Sequence, residues 1–314
     1  MLETTIRKLG SVVVVMLLVA VIVFTLIHLA PGDPAAIIAG DNATAQQIDA
    51  IRERLGMNAP LPMQFLTWAL AVLKGDMGIS IFSGEPVLKL IGERLFPTLS
   101  LALLTMAASV VIAVAAGMFA ALKAGSWSDR LIMALSVIGF SAPVFVVGYL
   151  LIYVFAIKLH LLPVQGYDPL SEGFWAWLSH LILPAITLGF VYVALIARMT
   201  RASVMEILES DFIRTARAKG VGTFRILWRH ALRNAGVTIV TVVGLGLALL
   251  IGGVVVTESV FNIPGVGRLV VDAIDKRDYP IIQGVTLLFS AVYVFVNLAI
   301  DLSYVLIDPR LRRK

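Results

Sequence analysis

The sequence predicts an all-α membrane protein with six transmembrane helices, and three observations carry that expectation. Apolar residues make up 59% of the 314 and charged residues 14%, and mean hydropathy is +0.95, far from the balance of a water-soluble domain. Six apolar runs are long enough for a hydrocarbon core of about 30 Å, which takes roughly 20 helical residues. They are Leu9–Ala30, Thr98–Leu122, Leu131–Ile157, Leu181–Ala197, Gly236–Thr257 and Ile281–Ile307. Lipid offers no water to an unpaired peptide group, so each run must close its own hydrogen bonds as a helix.

The first run exceeds the roughly 7–15-residue apolar region of a signal peptide and is read as a retained span. Orientation follows from Lys and Arg. The side holding the N-terminus carries Arg7, Lys8, Lys123, Arg130, eight residues from Arg198 to Arg233 and four from Arg310 to Lys314. The opposite side carries nine, five of them in one long loop that can translocate whatever its charge. Both termini are therefore expected in the cytoplasm. Residues 1–30 form the N-terminus and first span, 31–97 an extracytoplasmic segment, and 98–314 the remaining membrane domain, with a cytoplasmic loop at 202–235.

The extracytoplasmic segment opens on the turn-forming PGDP at Pro31–Pro34. A polar helix-like stretch, Thr44–Leu55, follows, then an apolar one, Leu61–Leu73, closed by Lys74, Gly75 and Asp76. A packed lobe or a set of short helices is expected there. The other outer loops, His160–His180 and Glu258–Pro280, are short, rich in Gly, Pro and aromatic residues, and suited to an entrance. Within the second of them Pro264, Gly265 and Gly267 fix a turn bearing Arg268, Asp272 and Asp275, with Glu258 at its start.

Inside the spans Pro143 interrupts the third at GFSAPVF. It frees a backbone carbonyl that Ser141 or a passing ligand could satisfy, so either a packing kink or a place on a pathway fits. Gly244, Gly246, Gly252 and Gly253 in the fifth permit close helix approach. His28 and Asp301 read as packing and interfacial groups. The four histidines show no metal-ligand spacing, and the absence of cysteine excludes thiolate metal sites and a disulfide framework. A pI near 9.6 would suit nucleic acid. The basic residues, however, sit beside helix ends rather than over one domain, and membrane lipid is the nearer partner.

The densest basic block, Asp211–Ala235, is also the most informative. Ser210 is placed to cap a short helix and Asp211 in its first turn complements the helix dipole. Arg214, Thr215, Ala216, Arg217, Ala218 and Lys219 continue it, Gly220 stops and reverses it, and Thr223 is placed to cap a return helix into the fifth span. From charge alone a loop that binds anionic headgroups explains the block as well as a docking element for a soluble partner does.

RTARAKG at Arg214–Gly220 followed by LWRHALRNA at Leu227–Ala235 resembles the EAA loop of ABC-importer permeases, in the form used by the dipeptide, oligopeptide and nickel branch. HLAPGDPA at His28–Ala35, FNIPGVGRLVVDAIDKRDYPIIQG at Phe261–Gly284 and DPRLR at Asp308–Arg312 resemble further signatures of that branch, so the likeness runs the length of the chain. Where the wider superfamily has Glu-Ala-Ala this chain reads Arg214, Thr215, Ala216, a change usual in the peptide branch. The resemblance implies a type I ABC importer permease fold with an extracytoplasmic insertion after helix 1, in a bacterial or archaeal cytoplasmic membrane.

It also implies a homologous second permease, two ABC ATPases and an extracytoplasmic solute-binding protein as partners. Asp211–Gly220 would then couple to an ATPase cleft, while Ser141, Pro143, Glu258, Pro264, Gly265, Gly267, Arg268 and Asp272 would serve the pathway or its entrance. No Walker A pattern occurs in the chain, so ATP and Mg are expected on the partner ATPases, with no cofactor or catalytic residue here. Import of di- or oligopeptides is the leading expectation, with nickel complexes or another small solute as alternatives. An ion-coupled secondary transporter would carry midplane carboxylates or paired inverted halves, and neither stands out. An uncoupled channel or scaffold is the third class.

Overall fold

A computed structural model describes residues 2–29, 35–36, 44–54 and 57–307. PGDP at Pro31–Pro34, DPRLR at Asp308–Arg312 and the basic C-terminal residues lie outside the described residues. The chain divides into two compact units.

The first unit takes in the described residues of Leu2–Arg94 together with Leu269–Val292. Helix α1 spans Leu2–Leu29. Its C-terminal end packs on a short apolar helix α3, Leu61–Leu73, where Phe24 lies 5.4 Å from Phe65 and 5.7 Å from Trp68 between ring centroids. His28 joins this packing: its imidazole meets the Phe24 carbonyl at 2.9 Å and Gln64 Oε1 at 3.2 Å, the packing role expected of it. Between them α2, Ala45–Arg54, opens on a capping box, with Gln47 Oε1 accepting from Thr44 N–H at 2.8 Å. Helix α4, Val87–Leu122, begins N-terminal to the start expected at Thr98 and carries Pro97 inside it.

The second unit takes in Leu95–Arg268 and the helical residues from Tyr293. After the rest of α4 come α5, Trp127–Ser141, and α6, Val144–Leu151, which continues as a π-helical stretch to Lys158. Next are α7, Phe174–Leu208, and α8, Asp211–Ala218. A single turn α9, Thr223–Arg225, leads through a π-helical stretch, Ile226–Ala231, into α10, Leu232–Val260. Helix α11, Val266–Lys276, passes into the first unit at Leu269, and α12, Tyr279–Ile307, returns to the second at Tyr293.

The core of this unit gathers Leu101, Met106, Leu183, Leu188, Ile196 and Val254 from α4, α7 and α10, with Phe261 just past the end of α10. Two of the four glycines flagged in the fifth expected span account for close approach in α10. A Cβ on Gly244 would stand 2.2 Å from Ile300 Cδ1, and one on Gly253 2.6 Å from Leu188 Cδ1. Gly252 faces open space.

Among the described residues four helices are long and apolar enough to cross a membrane, or five when one broken pair is counted as a span. That pair is the expected third span, which is not one helix: α5 and α6 meet at Ala142–Pro143 with a bend of 107°. Pro143 N-caps α6 at φ −61° and ψ 131°, so the chain leaves the helical conformation just where proline removes its N–H. The bend is held by tertiary packing, because Gly148 of α6 sits against Val260, Phe261 and Thr187. Helix α1, 28 residues long, contains the apolar stretch Gly10–Leu26.

Candidate functional site

The basic loop folds as a short helix, a reversal and a return. α7 ends at Leu208 and α8 begins at Asp211, so the link is only Glu209–Ser210. Ser210 has the extended conformation of an N-cap, but its hydroxyl donates back to the Ile207 carbonyl and does not cap α8. Thr223 is likewise not a cap: the return turn starts with Thr223 already helical and Gly222 before it. In both places the hydroxyl was placed by sequence position, whereas the backbone path sets where it points.

The stop at Gly220 is as expected. Gly220 has φ +79°, its N–H donates to Arg217 O at 2.9 Å and the Val221 N–H reaches Ala216 O at 3.1 Å. These two bonds form a Schellman motif, in which the left-handed residue satisfies carbonyls the helix end would leave bare. Ile213 is fully buried and Ala216 half-buried, while Asp211, Arg214, Thr215, Arg217, Ala218, Lys219 and Gly220 are exposed. One narrow stripe of α8 thus faces inward and the rest is presented outward. The Arg214–Asp211 pair at 3.6 Å is on the surface, where such pairs are worth about 0–1 kcal/mol.

Three aromatic residues that charge-based reasoning passed over share this surface. Phe212 is 47% exposed, Phe224 73% and Trp228 52%, with Phe224 and Trp228 centroids 6.1 Å apart. They fall out of phase with the buried Ile213, Ile226 and Leu227, and that phase was the available signal. Exposed aromatics interleaved with arginines suit a partner that buries both, as protein interfaces do. Beneath the loop a second core joins Met118 and Ala121 of α4, Val204 of α7, and Leu227, Ala231, Ala235 and Ile239 of the return, so the loop stands on a packed base.

The second candidate site lies where α10 ends. Glu258 is fully buried. Its Oε1 accepts from Thr98 Oγ1 at 2.6 Å and its Oε2 from the Arg268 N–H at 2.9 Å, while Thr98 Oγ1 accepts from the Val266 N–H at 2.8 Å. One acid and one hydroxyl therefore take up N–H groups in the first turn of α11, groups that a helix leaves without internal partners. Gly265 and Gly267 wrap this carboxyl group: a Cβ on Gly265 would stand 2.1 Å from Oε1, and one on Gly267 2.7 Å from Val255 Cα. The structure brings Glu258, Gly265, Gly267 and Arg268 into one buried knot around Thr98, which sequence reasoning did not flag. Only Asn262 and Pro264 in this turn are exposed, so Glu258, Gly265 and Gly267 shape the loop and do not line a surface.

Ser141 and Pro143 stand apart from the knot, exposed at the α5–α6 break. Asp272 lies in the other unit, half-buried beside a small cavity lined also by Ser80, Arg94, Lys276 and Asp278. There Asp278, 2% exposed, accepts from Ser80 Oγ and from the Ile81 N–H at 3.3 Å, fastening the turn before α4 to the start of α12.

Comparison with known proteins adds the following. Residues 113–313 match the family model described as binding-protein-dependent transport system inner membrane component, and residues 1–102 match the corresponding N-terminal model. The chain is 55% identical over 306 residues to the probable peptide ABC transporter permease protein y4tP of Sinorhizobium fredii (strain NBRC 101917 / NGR234), covering 98% of each. It is 43% identical over 314 residues to the glutathione transport system permease protein GsiC of Escherichia coli (strain K12), covering 100% of each. Among solved structures, a chain from inward-facing conformations of the MetNI methionine ABC transporter aligns with a TM-score of 0.58 at 18% identity, over 70% of this chain and 96% of that one, which is a likeness of fold.

Proposed function

The chain belongs to the family of inner-membrane components of binding-protein-dependent transport systems, and from that premise we propose that it forms part of the pathway by which an ATP-driven importer takes up di- or oligopeptides. It spans the membrane with six helices, N-terminus and C-terminus inside, and the broken α5–α6 pair counts as one of the six. It assembles with a homologous second permease, two ABC ATPases that bind ATP and Mg, and an extracytoplasmic binding protein. Relatives named for peptide and for glutathione transport support the solute class.

The observation that carries the mechanism is α8: one buried stripe on a packed base, an outward face of arginines and aromatics, and a glycine-locked end. An ATPase that closes on nucleotide grips that outward face. Because Ile213 and the core under the loop are close-packed, displacement of α8 is passed to α7 and α10 rather than absorbed. Asp211, Arg214, Arg217 and Lys219 orient the docking, Gly220 sets the angle of the return, and Asn262 and Pro264 offer the outer turn to the binding protein.

Uptake of radiolabelled dialanine and glutathione into proteoliposomes holding the permease pair, the ATPases and the binding protein tests this. Uptake should require ATP. Accumulation driven by an ion gradient without ATP would overturn it in favour of a secondary transporter, and ATP-independent equilibration in favour of a channel. Since the chain has no cysteine, single cysteines at the exposed positions Ala45 and Lys219 should label from outside and inside respectively. Labelling of both from one side would defeat the topology.

A further inference from the structure

Arg201, near the end of α7, and Asp129, in the first turn of α5, meet across 72 positions of sequence. The guanidinium is two-pronged on the carboxylate: Nη2 donates to Oδ2 at 2.7 Å and Nε to Oδ1. The Gly125 N–H adds a third bond to Oδ2 at 2.9 Å. The Asp129 side chain is only 4% exposed and that of Arg201 24%. A fork of this kind fixes orientation as well as distance, because the planar guanidinium and the carboxylate must stay coplanar to keep both bonds. Ser126 caps α5, its Oγ accepting from the Asp129 N–H, so the carboxylate is rigid with respect to its own helix.

What lies on either side of the pair gives it a role. From Arg201 the chain runs through Val204, in the core beneath the basic loop, to Leu208 and across two residues to α8. From Asp129, α5 runs to the break at Ala142–Pro143. We infer that the Asp129–Arg201 pair is a rigid joint that makes α5 follow α7, so that displacement of α8 by the ATPase reaches the α5–α6 break. Both are positioning residues and touch neither nucleotide nor solute. The inference rests on the importer function proposed above.

The absence of native cysteine supplies the test. The double variant Asp129→Cys/Arg201→Cys is reconstituted with its partners, and ATP hydrolysis and uptake of radiolabelled dialanine are measured in the same vesicles before and after a short bis-thiol crosslinker. Before crosslinking, hydrolysis persists while uptake per ATP falls about tenfold, within the range of coupling between sites. After crosslinking, uptake per ATP returns toward the wild-type ratio. Arg201→Lys, which keeps the charge without the fork, gives an intermediate ratio and covers the case in which the cysteine pair assembles poorly. A wild-type ratio in both the uncrosslinked double variant and Arg201→Lys would overturn the joint, as would a crosslinked protein that hydrolyses ATP but stays uncoupled. Wild-type vesicles that show no ATP-driven uptake would instead overturn the importer function on which the joint depends.

Discussion

Replacing Glu258, in the last turn of α10, with alanine is expected to give the largest loss of stability of any single change at the junction of α10 and α11. The side chain is fully buried, and its removal strips Thr98 Oγ1 and the Arg268 N–H of their acceptor. Each hydrogen bond lost in this way costs about 0.5–1.5 kcal/mol. The vacated volume adds to this, because close-packed surroundings relax only in part. Glu258→Gln keeps the shape and an acceptor oxygen and should lose much less. Gly265→Ala should approach the alanine variant, since its Cβ would stand 2.1 Å from Oε1 and the carboxyl group would have to leave the knot. The measurement is the midpoint of thermal unfolding in detergent together with membrane yield. An unchanged midpoint for Glu258→Ala would show that the knot does not hold the loop.

Replacing Gly220 with valine should act on coupling instead. A Cβ there meets nothing within 4 Å, so the cost is conformational and not steric crowding from neighbours. At φ +79° a β-branched residue is strained by roughly 1–3 kcal/mol. The chain escapes that strain by giving up the Schellman bonds at Arg217 and Ala216, which turns the return segment away from its path. The variant should insert and fold normally, because the strain is local to an exposed turn, yet lose ATPase association or uncouple hydrolysis from uptake. Charge reversal at Arg217 should be milder, as expected of a surface charge. Co-purification with the ATPases and uptake in vesicles are the readouts, and normal values of both in Gly220→Val would remove this loop from the coupling path.

The apolar runs were legible because a membrane span is written in consecutive residues: the positions of α4, α7, α10 and α12 follow directly from them. Pro143 signalled a kink, but one lost hydrogen bond does not fix 107°, which depends on Gly148 packing against residues more than a hundred positions later. The π-helical stretches at Ile152–Lys158 and Ile226–Ala231 were invisible, since no residue type demands them. Gly220 was legible because a left-handed helix end selects glycine almost alone. The Ser210 hydroxyl was not, since a serine two residues past a helix end can turn back as readily as forward. Glu258, Gly265 and Gly267 were picked out as entrance residues, and their actual placement follows from Thr98, a partner 160 positions away. The Asp129–Arg201 pair was hidden for the same reason.

The proposed coupling requires that α8 and the aromatic surface beside it dock an ATPase rather than lipid. Photoreactive side chains placed singly at Arg214, Phe224 and Trp228, in the reconstituted importer with labelled lipids, test it most directly. Adducts should form with the ATPase at all three positions, and their yield should change between nucleotide-free and ATP-bound complexes. Adducts with lipid alone, in a complex that still carries out ATP-driven uptake, would contradict it.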